Sequence, residues 1–176
     1  MAGTIEIRPL ERSDERAGFS CGQPELDRFF QHYAGVNQFK LHLAVTYVAV
    51  LEARIVGFAT VAASSIERAD VPSVRLRKRL PRYPLPVLRL ARLGVDHRAQ
   101  GAGIGRALLR HVLQLSLLQR DRMGCVGVVT DAKPEAVGFY RSLGFVSLDG
   151  VRSGALHGDS LPMFLGLDAV VAALGG

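Results

Sequence analysis

The stretch that decides the fold is Arg98-Ala99-Gln100-Gly101-Ala102-Gly103-Ile104-Gly105-Arg106. An apolar run ahead of it, Val87 to Val95, has the composition of a strand. Behind it a helical pattern runs from about Gly103 to Arg122, with Ile104, Ala107, Leu108, Val112, Leu115 and Leu118 on one face. Glycines between a strand and a helix let the backbone turn tightly, so several unpaired N–H groups point the same way. With the positive end of the helix dipole behind them, such groups form an anion site. A phosphate or pyrophosphate is the natural occupant.

Spacing narrows the ligand. A nucleotide P-loop needs Gly, four residues, Gly, Lys, then Ser or Thr, and this chain has no such run. A dinucleotide turn needs GxGxxG; Gly101 and Gly103 fit, but Arg106 stands at the third position. What remains is Arg-x-x-Gly-x-Gly.

Working outward, Ile5 to Leu10 alternates like a short strand, and Ser13 to Arg16 reads as one polar helical turn. Pro24 and Glu25 open a helix, with Leu26, Phe29, Phe30 and Tyr33 at helical spacing. Leu41 to Leu51 and Ile55 to Ala63 read as a hairpin across Glu52-Ala53-Arg54. Ser64 to Pro86 contains four prolines and reads as a long excursion. After the long helix, Gly124 to Thr130 reads as a short buried strand. Pro134 and Glu135 open another helix that Gly144 closes. Phe145 to Leu148 and Leu161 to Leu167 read as final strands, and 168–174 as a last short helix. The order predicts one α/β domain over residues 1–176 with a mixed, twisted sheet. Its strand–turn–helix–strand core is a right-handed parallel crossover flanked by helices.

Composition sets outer limits. Of 176 residues, 48% are hydrophobic and 22% charged, which fits a globular domain with a full core. The first residues, Met1 to Arg8, lack the apolar core of a signal peptide, and the longest nearly apolar run is far short of a membrane span. A cytoplasmic protein with no membrane segment is expected. The two cysteines, Cys21 and Cys125, have no zinc or CxxC spacing, so no metal is expected. Cys125 reads as a buried small hydrophobe. Cys21, just before a helix start, could have a lowered pKa, but no His follows at a telling position to make it a nucleophile.

The net charge of +6 is local. Between Val71 and Arg98 stand eight basic residues, Arg75, Arg77, Lys78, Arg79, Arg82, Arg89, Arg92 and Arg98, against one acid, Asp96. That segment carries +7 and the rest of the chain −1. Such a segment either tracks a phosphate backbone or is a solvated loop. Arg89 and Arg92, on a strand, either face a groove or pair with acids.

The Arg98–Gly105 pattern resembles the coenzyme A pyrophosphate loop of the GNAT (GCN5-related N-acetyltransferase) superfamily. Leu90-Ala91-Arg92-Leu93-Gly94-Val95-Asp96 resembles the fourth strand of that fold, and 103–122 its third helix. Asp131-Ala132-Lys133-Pro134-Glu135-Ala136-Val137-Gly138-Phe139-Tyr140, with Leu143-Gly144-Phe145, resembles its last shared block. Together these cover about residues 40–148. The resemblance implies acetyl-CoA as cofactor, held by Leu93, Gly94 and Val95 along the strand and by Arg98, Gln100, Gly101, Ala102, Gly103, Ile104, Gly105 and Arg106 at the turn. It also implies Tyr140 as the group that protonates the departing thiolate. At Lys133 many relatives have Asn, so no side-chain contact to the cofactor is implied there.

A narrower resemblance lies in Phe19-Ser20-Cys21-Gly22 with Leu26-Asp27-Arg28-Phe29-Phe30, and in Leu80-Pro81-Arg82-Tyr83-Pro84-Leu85-Pro86. These are similar to GNAT toxins of bacterial toxin–antitoxin modules. That similarity implies acetylation of aminoacyl-tRNA, a homodimer and a ribbon-helix-helix antitoxin. On this reading Arg75, Arg77, Lys78, Arg79, Arg82, Arg89 and Arg92 contact the tRNA.

The chemistry read from the residues agrees. A tyrosine has a reference pKa near 10 and suits a thiol of roughly 8–9 as general acid. Tyr140 shares an apolar helical face with Ala136, Val137 and Leu143, so a core role is its competing reading. No Glu or Asp lies between Val71 and Val95 to serve as base. That favours an α-amine, of pKa about 7.7–8.0, over a lysine near 10.4. Two other readings remain open from sequence: an acetyltransferase for a small amine, peptide or antibiotic, and a non-catalytic coenzyme A sensor or nucleic-acid-binding module.

Overall fold

The computed structural model describes residues 3–148 and 160–175. The strands are β1 (Glu6–Pro9), β2 (Val45–Leu51), β3 (Arg54–Ile66), β4 (Leu85–Val95), β5 (Gly127–Ala132), β6 (Val146–Ser147) and β7 (Leu161–Gly166). They form one mixed sheet of order β1-β2-β3-β4-β5-β7-β6, with β4 and β5 parallel and helices flanking it. The helices are α1 (Pro24–Arg28), α2 (Ala34–Phe39), α3 (Val74–Arg79), α4 (Ile104–Arg122), α5 (Val137–Ser142) and α6 (Leu167–Gly175). The chain divides into two compact units, residues 1–62 with 90–112, and residues 63–89 with 113–176.

In the first unit β1, β2 and β3 pair antiparallel. The hairpin turns on Glu52 (φ 51°) and Ala53 (φ 61°), both left-handed. A two-residue loop needs that backbone to match the right-handed twist of its strands, and here it is adopted without the usual glycine. Leu26, Phe29 and Phe30 face the sheet as their spacing predicts. Phe30 stacks on Phe58 of β3 at 4.5 Å between centroids, and Phe19 meets both edge-on at 4.9 and 5.4 Å. Rings in these arrangements gain about 0.5–1.5 kcal/mol per pair beyond area burial. One helical turn between α1 and α2, Phe29–Tyr33, is a π-helix, with the Ala34 amide donating to the Phe29 carbonyl. Ser13 ends a turn and Asp14 to Arg16 are irregular, so the expected helical turn is not formed. The Asp14 side chain instead accepts the Glu11 amide and pairs with Arg8 at 2.8 Å, holding an irregular backbone.

The second unit has the β5–β7 antiparallel ladder, extended by β6. Its core includes Ile66, Val71, Leu85, Val87, Val129 and Phe164, with Leu76, Leu80 and Val126 packed against them. Leu76 and Leu80 reveal a correction to the sequence reading. The excursion 64–86 begins as a continuation of β3 and then forms α3. Ser73 caps this helix, its hydroxyl accepting the Leu76 amide at 3.2 Å. A six-residue helix with one leucine, followed by Leu80 at its C-cap, leaves little periodic signal among four arginines and lysines.

Candidate functional site

The glycine turn lies wholly in the first unit. Val95 ends β4, His97–Ala99 form a 3-10 turn, and α4 begins at Ile104. Gly101 and Gly103 both have φ +83°, where an L side chain is strained, and open space lies where their Cβ atoms would be. Among the described residues, the amides of Gly101, Ala102, Gly103, Ile104 and Gly105 donate to no backbone carbonyl. These donors at the start of a 19-residue helix have the chemistry a diphosphate requires. Two close packings seat the turn. A Cβ on Gly57 would lie 2.9 Å from Ile104 and 2.9 Å from Leu108, and one on Gly94 would lie 2.9 Å from the Phe58 ring. Gly94, expected on the cofactor, is thus fixed by packing.

The sequence reading missed the residue that shapes this turn. Asp96 is 1% exposed. Its Oδ1 accepts from the Arg98 amide at 3.0 Å and Arg98 Nε at 3.0 Å, and its Oδ2 from Arg98 Nη2 at 3.1 Å and the Ser20 amide at 3.3 Å. These donors, Arg98 first, hold its carboxyl well below the usual carboxylate range. The Arg98 guanidinium is therefore a clamp on the turn. The signal was available: Asp96 is the one acid in a basic stretch.

Ser20 and Cys21 are latched to the same turn. The His97 amide donates to the Ser20 carbonyl at 2.9 Å, and Gln100 Nε2 donates to the Cys21 carbonyl at 3.2 Å and to that of Val95 at 3.1 Å. Asp27 accepts the Cys21 amide at 2.8 Å. The Phe19-Ser20-Cys21-Gly22…Asp27 pattern thus has a physical meaning: it braces the anion turn from the N-terminal side. Burial pushes the Cys21 thiol up to about 11, so it is not a nucleophile at neutral pH.

The basic segment is not one surface. Arg92 lies in the first unit with its guanidinium 3.9 Å above the Phe29 ring, and burial lowers its pKa. In the second unit Arg89 pairs with Asp131 at 3.2 Å, and Arg77 donates to the Val71 carbonyl at 2.6 Å. Arg75, Lys78, Arg79 and Arg82 are exposed, and their side chains make no ion pair or hydrogen bond among the described residues. Arg75 and Arg79 edge a groove floored by Leu76, Leu80, Val126 and Phe164, whereas Lys78 and Arg82 line another cleft with Glu67 and Arg68.

Tyr140, also in the second unit, is 5% exposed. Its ring packs edge-on against Phe139 and Phe145 at 5.2 and 5.3 Å. Burial pushes its hydroxyl up to about 12, partly opposed by a hydrogen bond with Thr130 that favours the phenolate. The hydroxyl therefore keeps its proton throughout the neutral range. Thr130 is the second residue that sequence reasoning did not single out.

A mixed sheet with a parallel β4–β5 pair, and an open-amide turn between β4 and α4, define an acyltransferase scaffold built to hold a diphosphate-bearing cofactor. The chain matches the acetyltransferase (GNAT) domain model over residues 42–147, and it belongs to that family. It is 33% identical over 141 residues, 80% of this chain and 83% of the relative, to the tRNA-acetylating toxin of Mycobacterium tuberculosis. Among solved structures, a Tyr→Phe mutant of KacT superimposes with a TM-score of 0.84 at 25% identity, covering 96% of this chain and 98% of that one. AtaTR bound with acetyl-CoA follows at TM-score 0.77 and 25% identity, covering 96% of each chain. No helix among the described residues is long and apolar enough to cross a membrane.

Proposed function

We propose that this chain, acting as a single GNAT domain, transfers the acetyl group of acetyl-CoA to the α-amino group of aminoacyl-tRNA as the toxin of a toxin–antitoxin pair. The observation that carries the acceptor is the relationship, over most of both chains, to a protein named tRNA-acetylating toxin. The open amides of the turn and the AtaTR complex with acetyl-CoA support the cofactor. Arg75, Lys78, Arg79 and Arg82 are the free cations that would meet RNA phosphates. Arg77, Arg89 and Arg92 would then act by holding their segments in place. A homodimer, a ribbon-helix-helix antitoxin and a cytoplasmic location complete the reading, on the resemblance of 19–30 and 80–86 to such toxins.

Acetyl-CoA, when bound, supplies an acetyl group activated as a thioester. The amides of Gly101 to Gly105 neutralise diphosphate charge without any side chain having to move, and Asp96 keeps them aimed. Backbone groups of Leu93 and Val95 orient the pantetheine arm and polarise the acyl oxygen. As the amine nitrogen bonds the acyl carbon and the C–S bond breaks, Tyr140 would give its proton to the departing sulfur; its phenolate, supported by Thr130, would take back the proton that the new amide nitrogen sheds. No carboxylate is assigned as base, because an aminoacyl ester amine is largely neutral near pH 8. The test is acetylation of total charged tRNA, compared with free amino acid amides, using labelled acetyl-CoA. Transfer to charged tRNA at the higher kcat/KM is expected; equal or better transfer to the free amides would refute the acceptor.

A further inference from the structure

The N-terminal helix carries a second cationic surface that the basic segment 71–98 does not include. Arg12, Arg16, His32 and Lys40 line one shallow cleft with Gly35, Val36 and Phe39, and no carboxylate lines it. His32, Val36, Phe39 and Lys40 recur at helical spacing, so they share a face. The two arginines are held in place. The Arg12 guanidinium lies 4.7 Å above the Phe39 ring. Arg16 Nη1 donates to the Phe30 carbonyl at 3.2 Å, within the π-helical turn. A Cβ on Gly35 would come within 3.1 Å of the Arg16 guanidinium, so glycine leaves the room that side chain occupies. Nearby acids are committed elsewhere: Asp14 to Arg8 at 2.8 Å, and Glu15 to the Ala17 amide at 3.0 Å.

His32 also lines the adjoining cleft, together with Arg28, Tyr33 and Asp27, whose carboxylate accepts the Cys21 amide at 2.8 Å. Tyr33 is 53% exposed, an aromatic face turned to solvent. Two anchored arginines and a lysine lining one cleft, with an exposed tyrosine ring in the adjoining one, supply what single-stranded nucleic acid needs: phosphates meet the cations and a base stacks on the ring. An acidic peptide would use the cations and leave the rings without a role.

We propose that the cleft along α1, the π-turn and α2 binds single-stranded RNA, with Arg12, Arg16 and Lys40 on phosphates and Tyr33 as a stacking face. This rests on the aminoacyl-tRNA reading and adds to it a contact for the unpaired end of the RNA, apart from the cations of α3.

The test is a salt titration of binding to deacylated tRNA and to a seven-nucleotide single strand, using the full chain and Arg12→Gln/Lys40→Gln. Removing two single-strand phosphate contacts makes the slope of log K against log salt less negative by about 1.4, with roughly tenfold weaker binding. Arg12→Lys/Lys40→Arg keeps both charges and restores slope and affinity, which a folding defect would not. Acetylation of a free amino acid amide stays unchanged in both variants. If the native protein acetylates charged tRNA and the Gln variant keeps its affinity and slope, the cleft assignment is wrong and the substrate reading stands. If the native protein binds neither RNA yet acetylates charged tRNA, only the cleft assignment falls; if it does neither, both fall. If the Gln variant keeps RNA binding but loses binding to a polyglutamate peptide, the cleft takes an acidic protein segment and the RNA assignment is overturned.

Discussion

Replacing Asp96 with Asn tests whether one buried carboxylate shapes the cofactor turn. The two oxygens of Asp96 accept four hydrogen bonds. Asparagine has one oxygen. Its better rotamer keeps Oδ1 on the Arg98 amide and Nε, and points its NH2 at Ser20 N–H and Arg98 Nη2. Donors then face donors. Leaving the Ser20 amide unpaired costs about 1–3 kcal/mol. The remaining bonds weaken because a neutral acceptor is roughly half as strong as a charged one. The expected destabilisation is about 2–4 kcal/mol, read as a lower urea midpoint at unchanged m. Calorimetric titration with coenzyme A should show roughly tenfold weaker binding, equivalent to about 1.4 kcal/mol, because the 98–105 backbone loses its anchor. The pH dependence has a definite sign. The folded carboxyl titrates below its unfolded value, so its contribution is full above about pH 4 and is lost as the pH falls below that. A variant within 0.5 kcal/mol of the native protein, by the same ~1 kcal/mol scale of hydrogen-bond effects, and within twofold in coenzyme A affinity, would refute this account of the turn.

Tyr140→Phe should lower kcat by roughly 10²–10⁴, the usual range for a general acid, with the KM for acetyl-CoA nearly unchanged; a kcat within threefold would leave Tyr140 a core residue only. Because burial holds the Tyr140 hydroxyl up to about 12, the native pH–rate profile should rise as the acceptor amine deprotonates and show no descending limb up to pH 10. Gly103→Ala forces an L residue to φ +83° in open space, so stability should fall by about 1 kcal/mol while coenzyme A affinity drops, as calorimetry would register. His111 has a buried Nε2 without a hydrogen-bond partner among the described residues, its ring centroid lies 4.7 Å from that of Tyr47, and burial lowers its pKa. The unfolded chain therefore binds that proton preferentially, and stability should decline as pH falls below about 6.5. His111→Phe keeps the ring contact, so its urea midpoint between pH 7.5 and 5.5 should change less than that of the native protein; an equal change would exclude His111 as the cause.

What could be read from the sequence was local. A turn with glycines at fixed spacing ahead of a helix dictates backbone geometry within a few residues, so the anion turn and α4 were legible from residue order alone. The same holds for the start of α1 at Pro24 and the end of α5 at Gly144, which has φ +100°. The short helix α3 was hidden because its apolar residues, Val74 and Leu76, sit among prolines and cations. The π-turn at Phe29–Tyr33 was hidden because it does not alter which residues are apolar.

By itself, then, the sequence determined the family, the helix-borne amide site and a chain whose positive charge is concentrated between Val71 and Arg98. Only the tertiary structure decided which of those charges are free. Arg89 finds Asp131 42 residues away, and Arg92 lies over Phe29, a residue far earlier in the chain. Pairing of this kind depends on distance in space. Residue type and spacing do not say which of two such readings holds, so whether Arg89 and Arg92 face a groove or take partners stays open until folding commits them and leaves Arg75, Lys78, Arg79 and Arg82 to the solvent.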